Sequence, residues 1–213
     1  MLGVNGTFPQ MVERYSTGDP AEALGSFGFK AGFQAGGSLN LLLGQAVEVS
    51  FGLLFNRTSF SYTDTPAEFT TYEYLEHENR LQVPATFLFK LNPDTRRVSV
   101  YLRAGLMGDY LVSATGSGVR SFTENLKDVV VEGSSVKGSR TSLSLAGLGG
   151  LGVRIPLEKS FFFIESRYTY NLFLANNGEN RYENQDLTWL LFHVDSDFRL
   201  QQLSFLAGIA WNL

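Results

Sequence analysis

Apolar and polar residues alternate along most of the chain with a period of two. In KAGFQAGGSLNLLL (30–43) one set is Ala31, Phe33, Ala35, Gly37, Leu39, Leu41 and Leu43. The other is Lys30, Gly32, Gln34, Gly36, Ser38, Asn40 and Leu42. Alternation of this kind predicts a strand with one apolar face. The run is far longer than the roughly 5–6 residues of an ordinary strand. The same signature recurs in about eight segments. These include LGVNGTF, AVEVSFGLLFNRTSFSY, YEYLEHENRLQVPATFLFKL, VSVYLRAGLMGDYLVS, SRTSLSLAGLGGLGVRIPL, FFFIESRYTYNLF and RLQQLSFLAGIAWNL.

The connectors alternate as well. Short turns are predicted near Gly44, at NPDTRR (92–97) and at LEKS (157–160), built largely from turn-forming residues. Longer polar connectors are predicted at 9–26, 63–70, 115–138 and 174–197. Short turns at one end and long loops at the other describe an up-and-down meander with both termini on the short-turn side. This is the loop asymmetry of outer-membrane barrels. The expected fold is therefore all-β: one domain over 1–213, a closed antiparallel transmembrane barrel of about eight strands.

The minor face decides which side meets lipid. It carries Glu48, Glu76, Glu78, Arg80, Arg103, Asp109, Arg154, Glu165 and Arg167. Each Arg or Lys turned to lipid at mid-depth would cost about 2–4 kcal/mol. The apolar face is accordingly expected outward, with Phe33, Leu39 and Leu41 toward lipid and Lys30, Gln34 and Asn40 inward. Glu76, Glu78, Arg80, Arg103, Asp109, Arg154, Glu165 and Arg167 then form an interior charge network. Folding symmetrically about NPDTRR sets Lys90 opposite Ser99, Thr86 opposite Arg103 and Arg80 opposite Asp109. Folding about LEKS sets Gly152 and Gly150 near Glu165 and Arg167. An eight-stranded interior is filled by side chains, so no wide pore is expected. Tyr62, Tyr72, Tyr74, Tyr110, Tyr168 and Tyr170 are expected as an aromatic girdle at the loop end. Phe87, Phe89 and Trp211 form its counterpart at the turn end.

Composition narrows the classes. The chain has 213 residues, 44% hydrophobic and 18% charged, with 22 Gly, 18 Phe and 9 Tyr. No stretch approaches the roughly 18 apolar residues of a membrane helix. A net charge of −4 gives no basic footprint for nucleic acid. Cysteine is absent, which removes thiolate chemistry. The opening MLGVNGTF lacks the charged and apolar regions of an export signal, so an exported protein would be represented here in processed form.

LEHENRLQVPATFLFKL followed by VSVYLRAGLMGDYLVSA resembles the central hairpin of the PorT-like outer-membrane β-barrel family of Bacteroidota-type bacteria. VDSDFRLQQLSFLAGIAWNL is similar to that family's closing strand. The resemblance implies an exported barrel in the outer membrane, in a family of diverse roles that include links to protein secretion.

Other motifs are weaker. GLGGLG (147–152) matches a dinucleotide fingerprint, but VRIPL follows where that motif needs a helix. The sequons at Asn5 and Asn56 have no force in a bacterial barrel. HVDSD (193–197) lacks the spacing of a calcium loop. No cofactor or metal is expected. His77, beside Glu76 and Glu78 and near Ser59 and Ser61, is the candidate base of a rim hydrolase; His193 is the other histidine. Trp189, Leu190, Leu191 and Phe192 interrupt a polar connector and form a candidate partner-contact loop, or a fold over the barrel mouth. The preferred expectation is a non-enzymatic accessory subunit of an envelope complex. Its partners would be outer-membrane lipids, including lipopolysaccharide, and other envelope proteins. A narrow channel for small solutes and a lipid-modifying enzyme are the alternatives.

Overall fold

The computed structural model describes residues 1–13, 26–67, 70–92, 98–123, 126–191 and 196–211. Strands β1 (Leu2–Glu13), β2 (Ser26–Leu42), β3 (Val47–Ala67), β4 (Thr70–Lys90) and β5 (Ser99–Phe122) come first in the chain. β6 (Val129–Ser135), β7 (Leu143–Pro156), β8 (Ser160–Asn171) and β9 (Asp197–Trp211) follow. Every pairing is antiparallel. The pairings run β1–β2–β3–β4–β5–β7–β8–β9 and return to β1, a ring of hydrogen bonds. β6 stands outside that ring, pairing with the distal part of β5 beyond the reach of β7. No described helix is long and apolar enough to cross a membrane; the crossing elements are strands.

The alternation read from the sequence holds over a band of constant height. Residues 47–55 of β3, 81–89 of β4 and 203–211 of β9 each place five apolar side chains outward, nine residues per strand. Phe51, Leu53, Val83, Phe87, Phe205 and Ile209 are about half exposed there. Nine tilted residues rise about 23 Å, close to the roughly 25 Å apolar band of outer-membrane barrels. The short β2–β3 and β7–β8 turns and the end of β9 at Trp211 lie at the lower edge. The terminal ammonium of Met1 donates to the carbonyl of Gly36, which stands beside Leu54 higher in the band. Phe87, Phe89 and Trp211 are exposed at that edge, as the sequence pattern implies. Phe33, Leu39 and Leu41 are exposed and Gln34 is buried. Lys30 follows the inward phase of its partner Thr7 but is itself exposed.

Above the band the polarity inverts. β3, β4 and β5 continue as one wall, so the connectors expected at 63–70 and 115–138 are mostly strand. Here the inner face is apolar and the outer face polar. Tyr72 and Tyr74 are buried inside with Leu111, Ala114, Val131 and Val136, and Tyr62 packs against them. These three tyrosines are therefore core residues of the wall, not members of a lipid girdle. Water on both sides of the wall explains the correction, because the apolar face has only the interior in which to hide. Tyr110 and Tyr168 are exposed on the outside as expected.

Candidate functional site

The charge network predicted from alternation is assembled in the lumen. Glu76, Glu78, Arg80, Arg103, Asp109, Arg154, Glu165 and Arg167 are all buried. They stack in layers from the turn end to the mouth. In the lowest layer Arg154 of β7 donates both terminal nitrogens to the two oxygens of Glu48 of β3, each at 2.7 Å. Lys90 of β4 lies 2.6 Å from the same carboxylate. The Arg154 guanidinium also faces the rings of Tyr101 and Phe161, at 4.9 and 4.6 Å from their centres. β3 and β7 are not neighbours in the ring, so this forked pair spans the lumen.

Glu165 of β8 organises the next layer. It accepts from the Tyr101 hydroxyl at 2.6 Å, from Arg103 Nε at 3.1 Å and from Arg167 Nε. Arg103 also donates to Thr86 at 2.9 Å. Gly152 and Gly150 lie opposite Glu165 and Arg167, the register predicted about LEKS. The reason is steric: a Cβ at Gly152 would collide with the Tyr101 ring that reaches across to Glu165.

The third layer corrects one register. Gln82, not Arg80, stands opposite Asp109, and Thr86 stands opposite Gly105, two residues from the symmetric folding about NPDTRR. Residues 93–97 of that turn lie outside the described residues. The contacts of Arg80 with Asp109 and of Arg103 with Thr86 survive the shift, whereas Lys90 stands opposite Tyr101, not Ser99, and turns to Glu48. Arg80 Nη1 lies 3.5 Å from Asp109 while its Nε donates to Glu78 at 2.7 Å. A two-residue shift keeps every side chain on the same face, and long side chains reach diagonal neighbours.

At the mouth, Arg140 donates to both oxygens of Glu76 at 2.7 and 2.5 Å, and Tyr74 donates to the same carboxylate at 2.6 Å. Arg140 shares the parity of Arg154 within SRTSLSLAGLGGLGVRIPL, but it precedes β7 and was not among the predicted lumen charges. Glu48 and Lys90 were recoverable from face parity alone. On the β1–β2–β9 side the lumen is filled by amides. Gln34 donates to Gln202 at 2.8 Å, Asn5 to Asn56 at 2.8 Å and Asn56 to Gln202 at 3.3 Å.

A family model for the outer membrane protein beta-barrel domain matches residues 2–174. The chain belongs to this outer-membrane barrel family. No curated protein matches it in sequence. Among solved structures, OprG from Pseudomonas aeruginosa is similar at 10% identity and a TM-score of 0.43, over 99% of this chain and 92% of OprG. Ail of Yersinia pestis is similar at 13% identity and a TM-score of 0.35, over 99% of this chain and 93% of Ail. The translocator domain of the autotransporter NalP from Neisseria meningitidis is similar at 12% identity and a TM-score of 0.40, over 100% of this chain and 86% of that domain. Membership in the outer-membrane family places the barrel in the bacterial outer membrane.

The barrel's mouth divides the candidate contact loop. Between β8 and β9 the chain forms a 3-10 turn (Gly178–Asn180) and a single π-helical turn (Asp186–Leu190). Leu187 and Leu191 are buried against the inner face of the wall, while Trp189 and Leu190 are 75% and 52% exposed. Leu191 is thus removed from the contact surface; Phe192 lies outside the described residues, as does His193. Gly116 and Gly118 of β5 make room for this packing, since a Cβ there would meet the Tyr74 hydroxyl at 2.6 Å and Leu191 Cδ1 at 2.5 Å. Asn184 holds the turn to β6 by donating to Ser134 and to the carbonyl of Ser135, each at 2.8 Å. A recess of about 610 Å³ beside it is lined by Lys137, Arg140, Asn177 and Asn180 among others.

The rim residues do not assemble a triad. Ser59 lies 2.8 Å from His77 Nδ1 on the outer surface. Glu76 and Glu78 point into the lumen, where they hold Arg140 and Arg80. Among the described residues no cluster could hold a metal ion.

Proposed function

We propose that this outer-membrane barrel is a non-enzymatic accessory subunit of an envelope complex, PorT-like and linked to secretion, that presents its mouth to a protein partner. Its termini face the periplasm and its mouth the exterior, in keeping with short turns at the terminal end. The observation that carries the reading is the pair Trp189 and Leu190, apolar and exposed on a turn anchored from beneath by Leu187 and Leu191. Apolar side chains held out to water on a pinned scaffold suit a contact surface. The layers of ion pairs across the lumen favour a plugged stem over a channel. The remaining partners are lipids of the outer membrane, including lipopolysaccharide.

Affinity purification from native membranes tests this, with the double variant Trp189→Ala, Leu190→Ala as the comparison. A companion recovered in stoichiometric amount with the native chain and depleted with the variant supports the role. Equal recovery, or recovery of the barrel alone, refutes it.

A further inference from the structure

On the outside of β3 and β4 the apolar band ends within a single row of residues, while on β1 and β2 it runs higher, through the exposed rings of Phe8 and Phe29. Phe55, Leu81 and Tyr110 stand side by side on β3, β4 and β5. The next outward row is Arg57, Asn79 and Ser113, and the one above it is Ser59, His77 and Thr115. Phe33 of β2 pairs with Arg57, and its ring lies 5.9 Å from that of Phe55. A cation therefore stands directly over two lipid-facing rings. With the band about 23 Å high, this row falls at the depth of lipid headgroups.

Arg57 differs from the other arginines of the barrel. Arg80, Arg103, Arg154 and Arg167 are neutralised by carboxylates, and Arg199 donates to the Tyr170 hydroxyl at 3.0 Å. The Arg57 side chain is exposed and has no hydrogen bond or ion pair among the described residues. Glu73, an exposed acid on the same face, is three rows further up β4. The polar groups beside Arg57 are already oriented by their neighbours. Asn79 is held by its bond to Ser113 at 2.9 Å. His77 is held through Nδ1 by the Ser59 hydroxyl at 2.8 Å, which leaves Nε2 directed away from that bond.

A guanidinium fork matches phosphate geometry, and an anion at this depth is tethered to acyl chains. We propose that Arg57, with Asn79 and His77 beside it, seats the phosphate of an outer-leaflet phosphorylated glycolipid whose acyl chains lie along Phe33, Phe55 and Leu81. The hydroxyl-bearing rows above, with Ser61, Thr115 and Ser117, suit a sugar backbone more than a simple phospholipid headgroup. The inference takes from the proposed function only its orientation, with the mouth outside; it does not depend on a protein partner.

Native mass spectrometry of the purified full chain, released from mixed micelles, reads the retained lipid. The probes are diphosphoryl lipid A, its dephosphorylated form, phosphatidylglycerol and inorganic phosphate. The native chain is expected to retain diphosphoryl lipid A and not the dephosphorylated form. Arg57→Gln is expected to lose about tenfold in retention, as for a charge-assisted bond. Arg57→Lys should lose less, and heat-modifiable migration on gels should show both variants folded. Equal retention by Arg57→Gln overturns the proposal. Displacement of the lipid by millimolar inorganic phosphate overturns it in favour of a free-anion site. Preference for phosphatidylglycerol overturns the glycolipid assignment and the orientation together, while leaving the test of Trp189 and Leu190 unaffected.

Discussion

The stem and the wall above it are made from the same strands with opposite logic. In residues 81–89 of β4, Leu81, Val83, Ala85, Phe87 and Phe89 point out while Gln82 and Thr86 point in with Leu88; from Tyr74 to Tyr72 the large rings point in and Glu73 points out. The backbone alternation never breaks between them. What changes is the solvent outside, lipid below the Arg57–Asn79 row and water above it. A single strand can serve both solvents because the composition of its two faces exchanges at that row. β5 adds a register shift there, where Asn79 faces Ser113 and Arg80 faces Leu111. Such an irregularity re-aims side chains without interrupting the ladder for long.

Removing a shared carboxylate from the stem should have the largest effect. Glu165→Gln leaves Arg103 and Arg167 sharing no acid in a buried layer, and should destabilise the barrel by about 3–5 kcal/mol, read by urea unfolding in lipid vesicles. Placing the same arginine on the two outer surfaces separates them next. Leu53→Arg in the band should cost about 2–4 kcal/mol, while Thr63→Arg on the wall should cost close to nothing. Equal penalties at the two sites would mean that lipid and water do not meet at the Arg57 row. A smaller and more local loss is expected from Leu187→Ala, about 2 kcal/mol as for a buried leucine. It should appear as faster hydrogen exchange around the π-helical turn with β7, β8 and β9 unchanged. Trp189→Ala, with its side chain in water, should change stability by no more than about 0.5 kcal/mol while reducing partner recovery.

Much of the stem was legible because two-residue parity assigns a face without knowledge of any partner. All eight predicted lumen charges lie inside for that reason, and an error of two residues at the β4–β5 turn moved none of them. The Gly150 and Gly152 register was legible because the short LEKS turn leaves little freedom. The wall was harder to read. Tyr72 and Tyr74 look like interfacial aromatics on composition, and only the continuation of β3 and β5 beside them reveals a second inner face. Leu191 and Arg140 depend on a loop folding back over the mouth. Parity puts Arg140 on the lumen face with Arg154, but no period encodes its reach across to Glu76 or the packing of Leu191 against Gly118.

The ion pairs of the lumen also constrain how the polypeptide reaches its membrane. Glu48 and Arg154 lie on strands separated by β4 and β5, and Glu165 is satisfied jointly by β5 and its own strand. A β7–β8 hairpin entering the bilayer by itself would carry Arg154 without its acid, and a β4–β5 hairpin would carry Arg103 without Glu165, into hydrocarbon. Insertion one hairpin at a time is therefore uphill at every step until the circle is complete, and the nascent cylinder has to curl while still sheltered from lipid.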